Sequence, residues 1–240
     1  MKYVSCRSKK FLRFIFLFIL ISTCISQNLY AEDGWKMVKN SDGIEVYVRP
    51  HKNSNIDECK GIITIPASMD IILRLMSDAP LSKKYIYSCY EGVFIKPWEK
   101  GHVVHYFAFK VPWPYWNRDI VYDTQAKINP ELNRVIIHMR AVKEALVPYR
   151  EKHVRMTDSE VIWILEKISP NKTRVMYHDF YDPVGIPPFL VNLFIEDDAY
   201  YSLKNLRYLV IDSVKDSSYK TLVCPEIPIS AEVNNKDFIP

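Results

Sequence analysis

The chain has 240 residues, 48% of them hydrophobic, with a formal charge of +4 and only six glycines. That length can bury one sizeable core, and the scarcity of glycine leaves little material for phosphate-cradling loops. Lys2, Arg7, Lys9, Lys10 and Arg13 are the only charges before residue 32, so residues 32–240 carry a formal −1, which leaves no electrostatic footprint for nucleic acid.

The first elements follow from that asymmetry. A basic stretch precedes F-I-F-L-F-I-L-I at 14–21, and an apolar run this short falls below the roughly 20 residues that span a bilayer. Residues 1–31 are therefore expected to be a cleaved export signal, with Ser26 and Ala31 as alternative cleavage points. Thr23 is a poor neighbour for a lipid-modified Cys24, which argues against a lipoprotein anchor. The protein is expected in a periplasm or outside the cell. Cys59, Cys89 and Cys224 then remain, an odd number without metal-ligand spacing, enough for one disulfide but not for a disulfide scaffold.

Strand signals come next. G-I-E-V-Y-V-R places Ile44, Val46 and Val48 on one face, and K-G-I-I-T-I-P ends at a proline. The period then becomes helical over 67–78, where Ser68 suits a cap and Asp70 the first turn. A hairpin turning at Lys100 and Gly101 puts Val103, His105, Phe107 and Phe109 on one side of its second arm. D-I-V-Y-D-T-Q-A-K-I alternates cleanly, with Ile120, Tyr122, Thr124, Ala126 and Ile128 together. Further strands read from 134–142, around 153–157, and from 161–168 and 173–181. From Pro188 a long helix carries Leu190, Phe194, Leu203, Leu206 and Val210 near one stripe. Residues 214–240 are polar, contain prolines and have no clear period.

Short turns between successive strands imply an antiparallel meander. The expectation is one α+β domain over 32–213: a curved antiparallel sheet of seven to nine strands around a long C-terminal helix, with one or two shorter helices after the first strands, and a tail at 214–240.

V-P-W-P-Y-W-N-R-D at 111–119 interrupts this regularity. Pro112 and Pro114 exclude a helix and a paired inner strand, so Trp113, Tyr115 and Trp116 sit on a loop. They either meet a partner, a membrane or a ligand entrance, or fold back onto the core.

Catalytic signatures are missing. The chain has no H-E-x-x-H, G-x-S-x-G, glycine-rich phosphate loop or C-x-x-C. His178 and Asp179 fall on opposite faces of a strand, which prevents a base-and-orienter pair. No metal and no cofactor are expected.

Several blocks together resemble the START family of lipid-transfer domains within the helix-grip superfamily. They are W-K-x-x-x-x-x-D-G-I-E-V-Y from Trp35, R-D at 118–119, V-R-M-T-D-S-E-V-I-W-I-L from Val154, K-T-R-V-M-Y from Lys172, and D-P-V-G-I-P-P-F-L-V-N from Asp182. The resemblance covers 35–213 and implies one cavity for one lipid or sterol-like molecule, with the C-terminal helix and the 111–117 loop as gate. An acid and an arginine that several family members carry in the cavity would fall at His105 and Thr124, so that charged pair is absent here. The resemblance then implies a cavity lined by His105, Phe107, Phe109, Tyr122, Thr124, Arg140, Trp163 and His178, with Arg155 inward if the strand register allows. It implies a membrane-touching gate of Trp113, Tyr115, Trp116, Pro188, Phe189, Leu190 and Phe194. A monomeric, non-enzymatic carrier with transient membrane contact is the expected function. The alternatives are a cyclase- or hydrolase-type helix-grip enzyme using His105 and Tyr122 for proton transfer, and a ligand-free module that docks a protein partner.

Overall fold

The computed structural model describes residues 34–216 together with Tyr219, Leu222, Glu226 and Ile227. The expected signal segment, Cys224 and most of the expected tail lie outside the described residues. In chain order the elements are β1 (Lys36–Ser41), β2 (Ile44–Pro50), β3 (Asp57–Ile65), α1 (Met69–Met76), a 3-10 turn (Ala79–Leu81), α2 (Ser82–Tyr85), β4 (Cys89–Glu99) and β5 (His102–Phe109). They continue with β6 (Asn117–Asn129), β7 (Arg134–Ala141), β8 (His153–Met156), β9 (Ser159–Ser169), β10 (Lys172–Tyr181), α3 (Pro188–Asn192) and α4 (Ile195–Lys215).

The strands form one sheet in the order β1-β2-β3-β10-β9-β7-β6-β5-β4, with every neighbouring pair antiparallel. β8 adds a short parallel pairing to the start of β6. This is the α+β helix-grip architecture, with ten strands where seven to nine were expected. The extra strand is β1, whose K-M-V-K-N-S is largely exposed and carries no apolar alternation to betray it. Register shifts break its pairing at Met37/Lys39 and the β4–β5 pairing at three points.

Period 2 sorts the side chains as the sequence predicts. Phe107, Ile120, Tyr122, Ala126, Val135 and Ile137 face the main core, whereas Val104, Tyr106, Ala108 and Val121 pack in a separate outer cluster. The outer face also holds polar pairs: Arg49 Nε donates to Glu58 at 2.6 Å, His178 Nε2 lies 2.6 Å from the same carboxylate, and Glu160 sits 2.5 Å from His138 and 3.2 Å from Arg140. The His138 contact outweighs burial and holds the Glu160 carboxyl down at about 2. Cys59 and Cys89 are buried and unbonded, so these two do not form the disulfide that the sequence allowed.

The helices follow local chemistry. Ser68 caps α1 by accepting from Ile71 N, and Asp70 in its first turn pairs with Arg74. The long helix expected from Pro188 is instead two pieces, α3 and α4, interrupted at Leu193 and Phe194. α4 buries Ala199, Leu203, Leu206 and Val210 against the sheet. At its contact point β3 carries Gly61, where an added Cβ would lie 2.6 Å from Leu203 Cδ1 and 3.1 Å from Ala199 Cβ. Gly61 therefore sets how closely α4 approaches. Gly61→Val should lower unfolding free energy by about 1–3 kcal/mol through overpacking, read as a lower denaturation midpoint at unchanged slope.

Candidate functional site

α4 covers only part of the concave face, and a hollow of about 630 Å³ opens beside it. That size suits a single small amphiphile. Phe107, Phe109, Tyr122, Met139, Val161 and Trp163 supply its sheet-side wall. Leu190, Val191 and Phe194 close it from the α3–α4 side, and Val111, Trp113 and Tyr115 from the loop. A second space of about 30 Å³, the size of a single water, shares Ile86, Phe107, Met139 and Trp163 with it and reaches His105 and Thr124.

Predicted cavity residues divide by strand parity. Phe107, Phe109, Tyr122 and Trp163 line the main hollow, while His105 and Thr124 line the small annex. Arg140 and His178 do not line either space. They stand on the outer face in the Glu160 and Glu58 pairs, because Met139 and Tyr177 occupy the inward positions of β7 and β10. Arg155 is also outward, donating to Asp119 Oδ1 at 2.8 Å and Oδ2 at 3.0 Å.

His105 is 5% exposed. Its Nδ1 lies 3.2 Å from Thr124 Oγ1, and its Nε2 has no hydrogen bond. Burial lowers its pKa to about 4, so the ring is neutral at pH 7. Tyr122 bonds Ser159 Oγ at 2.7 Å instead of His105. The His105–Tyr122 proton-transfer pair required by the enzymatic alternative is not assembled.

The mouth is framed by two loops joined through one cation. Arg118 is buried and donates to the carbonyls of Trp116, Pro183 and Val184, tying the 111–117 loop to the turn after β10. Asp119, next in sequence, points to the other face and takes Arg155 and the Tyr106 hydroxyl. Around this frame apolar groups stand in the open: Trp113 is 91% exposed, Trp116 60% and Phe194 63%, with Phe189 and Leu193 also exposed. Trp113, Tyr115, Leu190 and Phe194 line the hollow as well, while Trp116, Pro188 and Phe189 lie outside its lining.

The sequence reading missed four polar groups in this apolar wall. Tyr177 donates to Asp179 Oδ2 at 2.7 Å, and Tyr181 donates to Asp198 Oδ2 at 2.7 Å. All four line the hollow. Burial, opposed by the Tyr177 bond, pushes the Asp179 carboxyl up to about 7. Burial and then the Asp179 charge push Asp198 up to about 8, against the Tyr181 bond. The parity that sets His178 and Asp179 on opposite faces was the available signal, once Tyr177 is recognised as an inward neighbour. Among the described residues no group of three or more His, Cys, Asp or Glu could hold a metal ion, and no helix is long and apolar enough to cross a membrane.

No family model matches the chain. An uncharacterized protein of Pseudomonas aeruginosa is 30% identical over 184 residues, covering 76% of this chain and 89% of its own length. The phosphatidylcholine transfer protein of Rattus norvegicus is 26% identical over 165 residues, covering 66% of this chain and 75% of that protein. Among solved structures, a STAR-related lipid transfer protein fragment from Xanthomonas axonopodis superimposes with a TM-score of 0.68 at 27% identity, covering 75% of this chain and 99% of that one.

The raised carboxyls make a stability prediction. An acid whose folded pKa exceeds its unfolded value near 3.8 leaves stability untouched below that value and erodes it as pH rises toward the folded pKa. Asp179→Asn keeps an acceptor for Tyr177 but cannot ionise. It should flatten the melting-temperature profile between pH 4 and pH 8 and exceed the parent stability at pH 8 by on the order of 3 kcal/mol.

Proposed function

We propose that the chain, START-like by its likeness to the Xanthomonas fragment and the rat transfer protein, is an exported carrier that encloses one lipid or sterol-like molecule beside α4 and exchanges it with membranes through the mouth between the 111–117 loop and α3. The observation that carries this reading is the hollow of about 630 Å³, apolar over most of its wall and opening where Trp113, Phe189, Leu193 and Phe194 are exposed. A ligand-free docking module would have that space filled. Carriage without chemistry is favoured over catalysis because His105 and Tyr122 are bonded to separate partners. The name of the rat relative makes a phospholipid the first ligand to test.

Energetics explain why the mouth matters. A sixteen-carbon chain in water costs on the order of 13 kcal/mol at about 0.8 kcal/mol per CH₂. A bilayer relieves that cost as well as the hollow does, so net transfer is nearly thermoneutral and the barrier is passage through water. A carrier lowers that barrier by placing its mouth against the bilayer surface. Exposed tryptophans suit this work because their rings settle at the polar–apolar boundary. Leu190 and Val191 of α3, with Phe194 beyond it, form the movable side of such a mouth, and Arg118 holds the opposite side in place.

Native mass spectrometry of the protein purified from cells should show one bound lipid per chain. Trp113→Ser with Trp116→Ser removes on the order of 3 kcal/mol of interfacial burial. The double variant should slow vesicle-to-vesicle phospholipid transfer about ten-fold or more while retaining lipid. A protein that emerges empty and moves no lipid would overturn the carrier reading.

A further inference from the structure

Two carboxylates stand in the wall of a greasy hollow without a counter-charge. Asp179 faces it from β10 and Asp198 from α4, and the side-chain partner of each among the described residues is a single tyrosine hydroxyl. Asp179 is 6% exposed, and its Oδ1 has no hydrogen bond among the described residues. Neither aspartate pairs with a described lysine, arginine or histidine, although the adjacent Glu196 and Asp197 are both taken up by Lys39 at 3.3 and 3.5 Å. The cations that do line the hollow are committed or peripheral: Arg118 donates to three carbonyls, and Lys110 is exposed beside the loop.

Carboxylates desolvated in this way oppose folding. Their presence in a cavity wall points to a ligand-binding group, and the complement they lack is positive. Rings that suit a cation surround them: Trp163 and Tyr177 lie with centroids 4.3 Å apart, and Tyr122 and Tyr181 share the wall. A neutral hydroxyl would need one acceptor, whereas this wall offers two acids and an open oxygen. A fatty acid would be repelled.

We infer that Asp179 and Asp198, with Tyr177 and Tyr181, form a subsite for the ammonium group of an amine-bearing lipid, so that the cavity selects cationic over neutral and acidic amphiphiles. The inference rests on the carrier reading above and specifies its ligand class. It also fixes a pH dependence. Cys59 of β3, Tyr122 of β6, Tyr177 and Tyr181 of β10, and Tyr87 before β4 are all pushed above their ordinary values, chiefly by burial, and stay neutral at pH 8. His105 stays neutral above its value of about 4, and Asp197 is already paired with Lys39. Between pH 6 and 8 the two aspartates are therefore the groups that change charge in the hollow, and an ammonium guest binds their ionised form, displacing protons.

The test uses the full chain after export processing, stripped of lipid, titrated by calorimetry with dodecylamine, dodecanol and dodecanoate below their aggregation concentrations. At pH 8.5 dodecylamine should bind about ten-fold or more tightly than dodecanol, a unit of pKa coupling being worth ten-fold, and the preference should shrink at pH 5.5 while dodecanol affinity stays level. Asp179→Asn with Asp198→Asn should bind dodecylamine and dodecanol alike at both pH values. Equal affinities of amine and alcohol for the parent protein at pH 8.5 would overturn the subsite and leave the carrier standing. So would an amine preference that survives in the double variant. Should that variant fail to fold, the parent's pH comparison alone decides: a preference that ignores pH overturns the subsite. If none of the three amphiphiles binds, both readings fall together.

Discussion

One helix cannot cover a nine-strand arc. At about 4.8 Å between strands the path of the sheet is some 40 Å wide, whereas a helix with its side chains is about 10–12 Å across. α4 rests on β2, β3 and β10, and Gly61 of β3 leaves no room for a side chain beneath Ala199 and Leu203. The concave surface of β9, β7, β6 and β5 must then be covered by something else. α1 and α2 take one end of it. Over the rest stand loops and the short α3, which shield the space without filling it. The cavity is thus a geometric remainder, and the side chains that happen to face inward on the uncovered strands become its chemistry.

That geometry explains how much could be read in advance. The alternation of β6 made Tyr122 legible by parity, and the second arm of the hairpin grouped Phe107 with Phe109, whereas Trp163 was reached only through the family resemblance; all four are on the wall. β7 and β10 were not legible, because V-I-I-H-M-R and V-M-Y-H-D-F put apolar groups on both faces and parity loses its meaning there. Ile136, Ile162, Ile164 and Met176 form an apolar cluster outside the main core. Arg140 and His178 were misplaced for this reason. The aspartates escaped notice for another. E-D-D at the start of a helix reads as three acids favouring the dipole, yet only Glu196 and Asp197 reach the surface lysine, and Asp198 turns inward.

The R-D dipeptide shows the opposite case, a weak motif with two separate structural duties. Its members point to different faces of β6. Arg118 satisfies backbone carbonyls that two adjoining loops would otherwise leave unmade, and the guanidinium, planar and permanently charged, can do so for several acceptors at once. Asp119 anchors Arg155 and Tyr106 beneath the segment that joins β7 to β8. Both decide where the loops at the mouth of the hollow can stand.

A wide open sheet also has two margins, and each presents unpaired backbone groups to any extended chain that drifts past. Here both are blunted. β1 carries Lys36 and Lys39 and a register break between Met37 and Lys39, while β4 carries Lys96, Pro97 and three such breaks. A proline cannot donate and a bulge bends the strand away from a flat template. The molecule can therefore keep a hollow and a greasy rim on one side without offering a ladder for a second copy to extend.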